Sequence, residues 1–201
     1  MVKELRDNPR LLPYMDVPIQ HIADGVLARM NRHGDGATVK EAIARLRCEV
    51  PNITLRTTAM VGFPGETEED FAELCTFVKE ARFDRFGAFT FSPEEGTPAA
   101  DMDGQIDEDL KNKRYETLMA IQLDISAELQ RQKVGETVTV LCEGFDPVAE
   151  THFGRSAADA PDVDGKIYFS ARKKVPAGQF VTVKITEALD YDLIGELVLE
   201  K

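Results

Sequence analysis

The stretch that most constrains the fold is LRTTAMVGFPGET, residues 55–67, in which a strand runs directly into a turn and a helix. Its first half, TTAMV, suits an extended and mostly buried segment. Gly62, Pro64 and Gly65 then break the strand within four residues. The pattern over Thr67–Asp70 is typical of a capping box that begins a helix. A strand, a glycine turn and a helix in immediate succession predict an α/β fold with parallel strands.

The turn itself has two interpretations. In α/β proteins ligands bind at the carboxyl ends of the strands, and glycine lets the backbone approach a ligand closely. One interpretation is therefore a small-molecule site over Val61 to Gly65. The other is an ordinary glycine-rich connection, since such turns occur in any α/β fold. The local pattern alone leaves both open.

The first two thirds of the chain alternate between strand and helix patterns. Strands are predicted over residues 14–19, 53–61 and 85–91, and helices over residues 24–31, 38–47, 68–81 and 108–133. Thr38 and Glu41 predict a capping box for the second helix. The last helix is predicted to bury Leu110, Leu118, Ile121, Ile125 and Leu129. Three parallel strands make a poor independent sheet with an open edge, so we expect the chain to be the C-terminal part of something larger.

The hydrophobic period changes from helical to alternating after Gly135. Five short stretches that follow, the last of them DLIGELVLE at residues 192–200, predict five strands with turns between them. Five short strands suffice for a small closed or nearly closed barrel. We therefore predict two domains, residues 1–134 and 135–201, with Gly135 ending the long helix.

Charge and cysteine content exclude several classes of function. The net charge is −12, which disfavours a general nucleic-acid binder and fits a basic partner, although acidity also serves solubility. No apolar run reaches the length of a membrane span and no signal-peptide pattern opens the chain, so a cytoplasmic location without a membrane partner is expected. Cys48, Cys75 and Cys142 are too scattered for a local metal or iron–sulfur motif, and no metal ligand is expected here.

Three motifs in order carry a resemblance to a known family. PYMDVPIQH, LRTTAMVGFPGETEEDF and FTFSPEEGTPAA resemble the later strands of the catalytic barrel in methylthiotransferases of the radical S-adenosylmethionine superfamily. The five-strand tail resembles that family's TRAM domain, so the likeness extends from about Leu12 to Leu199. It implies an α/β fold class, the C-terminal part of a partial TIM-like (β/α) barrel followed by a small all-β, OB-like barrel.

Two branches of this family differ in their substrate. One modifies an adenosine in transfer RNA; the other, called RimO, adds a methylthio group to the β-carbon of an aspartate in the twelfth small-subunit ribosomal protein. His21 after Gln20 resembles the ribosomal-protein branch, and so does GRSAADAPDVDGKIYF in the tail. From Gly135 onward there are seven Lys or Arg and twelve Asp or Glu, a net charge of −5, which suits a basic ribosomal protein.

The resemblance implies S-adenosylmethionine and two [4Fe-4S] clusters as cofactors of the complete enzyme. The family's CxxxCxxC motif and its second cluster domain are expected upstream of Met1, so this chain alone is expected to bind no cluster and to be inactive. The small-subunit protein is the expected partner, with the ribosome as a further candidate and transfer RNA less favoured. The alternatives are a transfer-RNA methylthiotransferase, an RNA- or ribosome-binding module, or an unrelated α/β domain.

Site residues follow from the same resemblance. The cofactor-binding set is Arg56 for the carboxylate or ribose, Val61, Gly62 and Phe63 for the adenine, and Gln20 and Pro93 at the same rim. His21 would orient the substrate aspartate or the cofactor, and three tail residues would contact the partner: Asp159, Asp162 and Asp164. Each has a structural alternative: an ion pair for Arg56, packing for Phe63, a buried structural role for His21, and a solvated turn for the aspartates. No catalytic residue is assigned in this chain.

Overall fold

A computed structural model describes residues 1–198, so the end of the last predicted strand, residues 199–200, lies outside the described part. The chain divides into two compact units, residues 1–11 with 15–125 and residues 12–14 with those from 126 onward. The elements in order are α1 (Val2–Asp7), β1 (Tyr14–Asp16), α2 (Asp24–Arg29), α3 (Gly36–Glu49), β2 (Thr54–Val61), α4 (Glu68–Ala81), β3 (Arg85–Thr90), α5 (Glu108–Gln132), β4 (Thr137–Asp146), β5 (Thr151–Arg155), β6 (Ile167–Ser170), β7 (Phe180–Ala188) and β8 (Leu193–Leu197).

The first unit contains a three-stranded sheet in the order β1-β2-β3. Strands β2 and β3 pair in parallel, from Arg56 opposite Arg85 to Val61 opposite Thr90. Strand β1 is shorter than the predicted 14–19, because Pro18 has no N–H to donate to a ladder. The chain beyond it still follows β2, and Gln20 forms a separate parallel bridge.

The helix after the glycine turn forms as predicted. Helix α4 spans Glu68–Ala81, and its Thr67–Asp70 capping box is present in both directions. The capping box predicted at Thr38 is wrong: α3 begins at Gly36, and the Asp35 carboxylate accepts the N–H of Thr38 at 2.8 Å. The N–H of Gly36 donates to the Asp24 carboxylate at 2.7 Å, which ties this helix start to α2.

The long helix α5 differs from its prediction in what it buries. Of the five apolar positions predicted to face inward, only Leu118 and Ile125 are fully buried. The rest of the buried face is polar: Lys111, Arg114, Gln122, Ser126 and Gln130. These polar groups are buried because each finds a partner, for example the Gln122 amide on the carbonyl of Phe83 at 3.0 Å. The domain boundary at residues 134–135 stays a prediction.

The second unit contains a closed barrel with strand order β4-β5-β6-β8-β7. The predicted five-strand tail is confirmed in the described residues. Along each strand every second side chain points into the barrel. The apolar core there consists of Val140, Cys142, Ile167, Phe169, Val175, Val183, Ile185 and Leu193. In residues 1–198 no helix has the length and apolarity needed to cross a membrane.

Candidate functional site

The carboxyl ends of β2 and β3 and the chain beyond β1 meet at one edge of the sheet. Gln20 donates its N–H to the carbonyl of Thr58 at 2.9 Å and accepts the N–H of Met60 at 2.7 Å. On the other side, Phe91 donates its N–H to the carbonyl of Val61 at 2.8 Å. Pro93 follows two residues later and is exposed. The structure therefore brings Gln20, Val61 and the segment before Pro93 to the same edge, which is where an α/β protein binds ligands.

The glycine turn is closed by a carboxylate from within it. The N–H groups of Gly62 and Phe63 both donate to Oε2 of Glu66, the second at 3.3 Å. The N–H of Glu66 returns to the carbonyl of Phe63 at 2.9 Å. Gly62 and Phe63 were expected to hold the adenine. They already have an acceptor, so the contribution left to Gly62 and Phe63 is shape and apolar contact.

The rest of the turn is held by two other segments. Gly65 donates its N–H to the carbonyl of Gly104 at 2.9 Å. Arg29 of α2 donates from Nε to the carbonyl of Pro64 at 2.7 Å and from Nη2 to the carbonyl of Asp103 at 2.9 Å. The positive φ of +81° at Gly65 explains why glycine is needed there. The turn is thus fixed from both sides before any ligand binds.

Glu66 is the buried electrostatic centre behind the turn. Its residue is 5% exposed, and its Oε1 lies 3.2 Å from Nη1 of Arg114 in α5. Burial raises the pKa of Glu66 to about 7, while Arg114 and the two turn amides oppose that shift. Arg114 also reaches Glu68 at 2.5 Å through Nη2.

Lys111 and Arg114 are functional candidates that were not predicted from the sequence. Both belong to α5 and are at most 3% exposed. Their spacing from Leu118 places all three residues on one helix face, and the sequence already shows this spacing. Lysine and arginine are usually exposed, however, so their charge indicated a position in solvent. Long cationic side chains can cover apolar surface with their stems, so charge alone does not place them outside.

His21 is fully buried rather than placed for contact with a substrate. Its exposure is 0%, and its Nδ1 accepts the N–H of Ala23 at 3.1 Å. Burial lowers its pKa to about 4, so the ring is neutral at pH 7 with its proton on Nε2. This burial favours the structural alternative, because Nδ1 is engaged within the turn; the buried Nε2 has no hydrogen-bond partner among the described residues. Before it, Gln20 adopts a φ of +67° in a tight turn closed by the N–H of His21 on the carbonyl of Ile19 at 2.9 Å.

Arg56 does not join the other candidates. It is the third residue of β2, five positions before Val61, which at about 3.3 Å per residue places it about 16 Å from the strand end. Its Nη1 lies 3.4 Å from Asp16 at the amino end of the sheet. The structure thus supports the ion-pair alternative for Arg56 and separates it from the turn.

Phe63 takes part in packing. Its ring meets that of Phe91 edge to face, with centroids 5.0 Å apart, and it is 5% exposed. Ala23 and Val26 complete this buried cluster, against which Met60 also packs. The packing alternative for Phe63 therefore matches the structure, and the cluster links the ends of β2 and β3.

The three tail aspartates have different surroundings. Asp159 is 8% exposed and its carboxylate accepts from the N–H and the hydroxyl of Ser156 at 3.0 and 2.6 Å. Asp164 accepts the N–H of Ala160 at 2.8 Å and the hydroxyl of Tyr14 at 2.7 Å. These two residues organise their own loop. Asp162 is exposed and is the member of the trio with surface to offer a partner.

The described residues do not assemble a metal site. No group of three or more His, Cys, Asp or Glu in residues 1–198 could hold a metal ion. Of the cysteines, Cys48 is exposed, Cys75 is half-buried and Cys142 lies in the barrel core. The residues present therefore do not fit an iron–sulfur cluster, whose irons need cysteine thiolates that converge.

Comparison with known proteins matches both parts of the chain to families. Residues 1–78 match the radical SAM superfamily, and residues 134–198 match the TRAM domain. A ribosomal protein uS12 methylthiotransferase RimO from Thermoanaerobacter sp. (strain X514) is 48% identical over 196 residues, 98% of this chain and 44% of that protein. Enzymes of the same name from Geobacter sulfurreducens and Alkaliphilus oremlandii are each 45% identical, over 98% and 100% of this chain and 44% and 46% of their own lengths.

The sheet with its helices and the closed barrel are thus the C-terminal part of a radical SAM barrel and a TRAM domain. The chain belongs to the RimO-type methylthiotransferase family and corresponds to the C-terminal part of its members. It spans a little under half the length of the curated relatives it matches.

Proposed function

We propose that this chain is part of an enzyme that methylthiolates the β-carbon of an aspartate in ribosomal protein uS12. The observation that carries the proposal is the 48% identity, over 98% of the chain, to a protein named for that activity. The strand-end edge, with its prearranged glycine turn, supports it as the part of the fold where a cofactor binds. Both the activity and the substrate belong to the complete protein.

The residues at this edge suit part of S-adenosylmethionine. The Oε1 atom of Gln20 is buried and has no hydrogen-bond partner among the described residues, so it is an acceptor for a ribose hydroxyl or the cofactor's ammonium group. Met60, whose N–H donates to the carbonyl of Gln20, and the exposed Pro93 are apolar residues at the same edge. When bound to a reduced cluster the cofactor supplies a hydrogen-abstracting radical. This chain's contribution is binding, orientation and exclusion of water. The two [4Fe-4S] clusters of the complete enzyme would be held by residues other than those described here.

The expected partner is a basic protein. Not all three tail aspartates are available to contact it. Asp159 and Asp164 are engaged within their loop, so Asp162 and the overall net charge of the tail remain as the basis for attraction. Long-range attraction of this kind raises the rate of encounter more than the affinity. A cytoplasmic location is proposed because uS12 acts in the ribosome.

The test is a modification assay on the complete protein purified and reconstituted anaerobically. With S-adenosylmethionine, sulfide, uS12 and dithionite as the one-electron reductant of the clusters, mass spectrometry should find one methylthio group on a single aspartate of uS12. A uS12 variant with that aspartate replaced by alanine serves as control and should stay unmodified. Modification of an adenosine in transfer RNA, with none on uS12, would refute the proposal in favour of the other branch.

RNA contact by the barrel is a second candidate, favoured by one observation. Arg172, Lys173 and Lys174 are consecutive and exposed in the β6–β7 loop of an otherwise acidic domain. Next to this loop, Val175 donates its N–H to His152, whose ring meets the 43% exposed Phe145 at 4.9 Å. A basic loop beside an exposed aromatic ring is a feature of RNA-binding surfaces. Salt-sensitive binding of ribosomal RNA that is lost when the three basic residues become glutamine would support it, and unchanged binding would exclude it.

A further inference from the structure

The glycine turn depends on two side chains of α5 that lie far from it in sequence. Gly62 is buried, and a Cβ added to it would lie 2.3 Å from Cγ of Lys111. The stem of Lys111 therefore fills the space that a side chain at residue 62 would occupy. Its Nζ lies 5.5 Å from the centroid of the Phe91 ring and pairs with Glu108 at 2.6 Å. Lys111 thus touches both strand ends that form the edge.

Arg114 completes the arrangement one helical turn later. Its Nη1 binds Glu66 at two points, the carboxylate at 3.2 Å and the backbone carbonyl at 3.2 Å. The same carboxylate accepts the amides of Gly62 and Phe63. A guanidinium that binds both the side-chain carboxylate and the backbone carbonyl of one residue fixes the orientation of that residue. The planar fork of arginine allows this double contact, and the single ammonium group of lysine does not reproduce it. The positions of the two turn amides are therefore set through Arg114.

The buried charges are matched within this cluster. Glu66 faces Arg114 from α5, with Asp70 and Cys75 of α4 and His21 after β1 as the other titratable groups that act in this buried region. Arg114 also reaches Glu68 and packs over the ring of Phe71, with its Cζ 5.5 Å from the centroid. Removing Arg114 would raise the pKa of Glu66 further and favour its protonated form. A neutral carboxyl binds the amides of Gly62 and Phe63 less strongly than a carboxylate, so the turn would loosen.

We propose that Lys111 and Arg114 are positioning residues for S-adenosylmethionine, holding the turn of residues 62–66 in the shape that the cofactor meets. The inference rests on the proposed function, because it names residues of the same strand-end site. Neither residue touches the cofactor; each acts through Gly62 or Glu66. A loss of preorganisation of this kind weakens binding of the cofactor, since the turn must then be ordered at the moment of binding.

The test compares three variants of the complete, cluster-loaded protein: Arg114→Met, Lys111→Met and, as matched control, Lys113→Met on the exposed face of the same helix. We expect the KM for S-adenosylmethionine to rise about tenfold in the first two, with kcat at saturation within about twofold of the parent. Lys113→Met should change neither. Arg114→Lys, which keeps the charge but not the fork, should recover only part of the loss. A variant that merely folds less well would lower kcat and leave KM unchanged, and that result would overturn the inference.

A second readout separates this inference from the proposed function. Amide hydrogen exchange of residues 60–66, measured without S-adenosylmethionine, should be faster in Arg114→Met than in the parent and unchanged in Lys113→Met. If the parent protein fails to use S-adenosylmethionine, the proposed function is wrong, and the exchange experiment still decides whether these side chains hold the turn. Parental exchange rates in both Arg114→Met and Lys111→Met would overturn the inference directly.

Discussion

Replacement of Gly62 by alanine should destabilise the first unit by about 2–5 kcal/mol. Two effects add. The residue has a φ of +75°, and the left-handed region costs an L-residue about 1–2 kcal/mol. The new methyl group would also lie 2.3 Å from Cγ of Lys111 and 3.1 Å from its Cβ and Cδ, and overpacking of a buried site costs about 1–3 kcal/mol. Lys111 is 1% exposed and cannot swing into solvent without leaving its place in the cluster.

Gly87 of β3 is the matched control within the same sheet. An added Cβ there meets nothing within 4 Å, and its φ lies outside the left-handed region. Gly87→Ala should therefore be neutral or stabilise by about 0.5 kcal/mol, since alanine has less backbone entropy to lose on folding.

The assay is urea denaturation followed by the helical far-ultraviolet circular dichroism, because α1 to α4 all belong to the first unit. The double variant Gly62→Ala with Lys111→Ala should show a coupling of about 1–3 kcal/mol, the part of the loss that comes from overlap rather than from φ. If Gly62→Ala is no less stable than Gly87→Ala, the close packing of Lys111 against the turn is refuted.

Two further predictions concern the buried ionisable groups and the tail. The pKa of His21 is about 4 in the folded state and 6.5 when unfolded, so His21 lowers stability as the pH falls below 6.5. The pKa of Glu66 is about 7 in the folded state and 4.5 when unfolded, so Glu66 lowers stability as the pH rises above 4.5. These two pH dependences oppose each other, so Glu66→Gln should leave the contribution of His21 visible. In this variant the free energy of unfolding should rise by up to about 3 kcal/mol from pH 4 to 6.5. If urea titrations give the variant and the parent the same pH dependence, this prediction is contradicted. Asp159→Ala should destabilise the barrel by about 1–3 kcal/mol through loss of both bonds to Ser156. Asp162 has a φ of +64°, a region that asparagine tolerates as well as aspartate, so Asp162→Asn should stay within about 0.5 kcal/mol of the parent. Thermal unfolding of the two variants with equal midpoints would refute this distinction.

The sequence determined the features that depend on neighbouring residues. The change of hydrophobic period after Gly135 predicted the barrel, and the Thr67–Asp70 pattern predicted the start of α4. The edge at which Gln20, Val61 and Pro93 gather followed from the rule that parallel strands place their carboxyl ends together. These features are readable because period, capping and turn chemistry act over a few positions along the chain.

Tertiary structure decided which side chains are available at that edge. The bond between Arg114 and the carbonyl of Glu66 joins residues 48 positions apart, and nothing local in the sequence announces it. The same holds for the burial of His21 and for the pairing of Arg56 with Asp16 at the far end of the sheet. A charged or polar side chain can be buried only where the fold brings it a partner, and that partner is chosen by the packing of distant segments. The sequence therefore located the site, while packing assigned the roles of its residues.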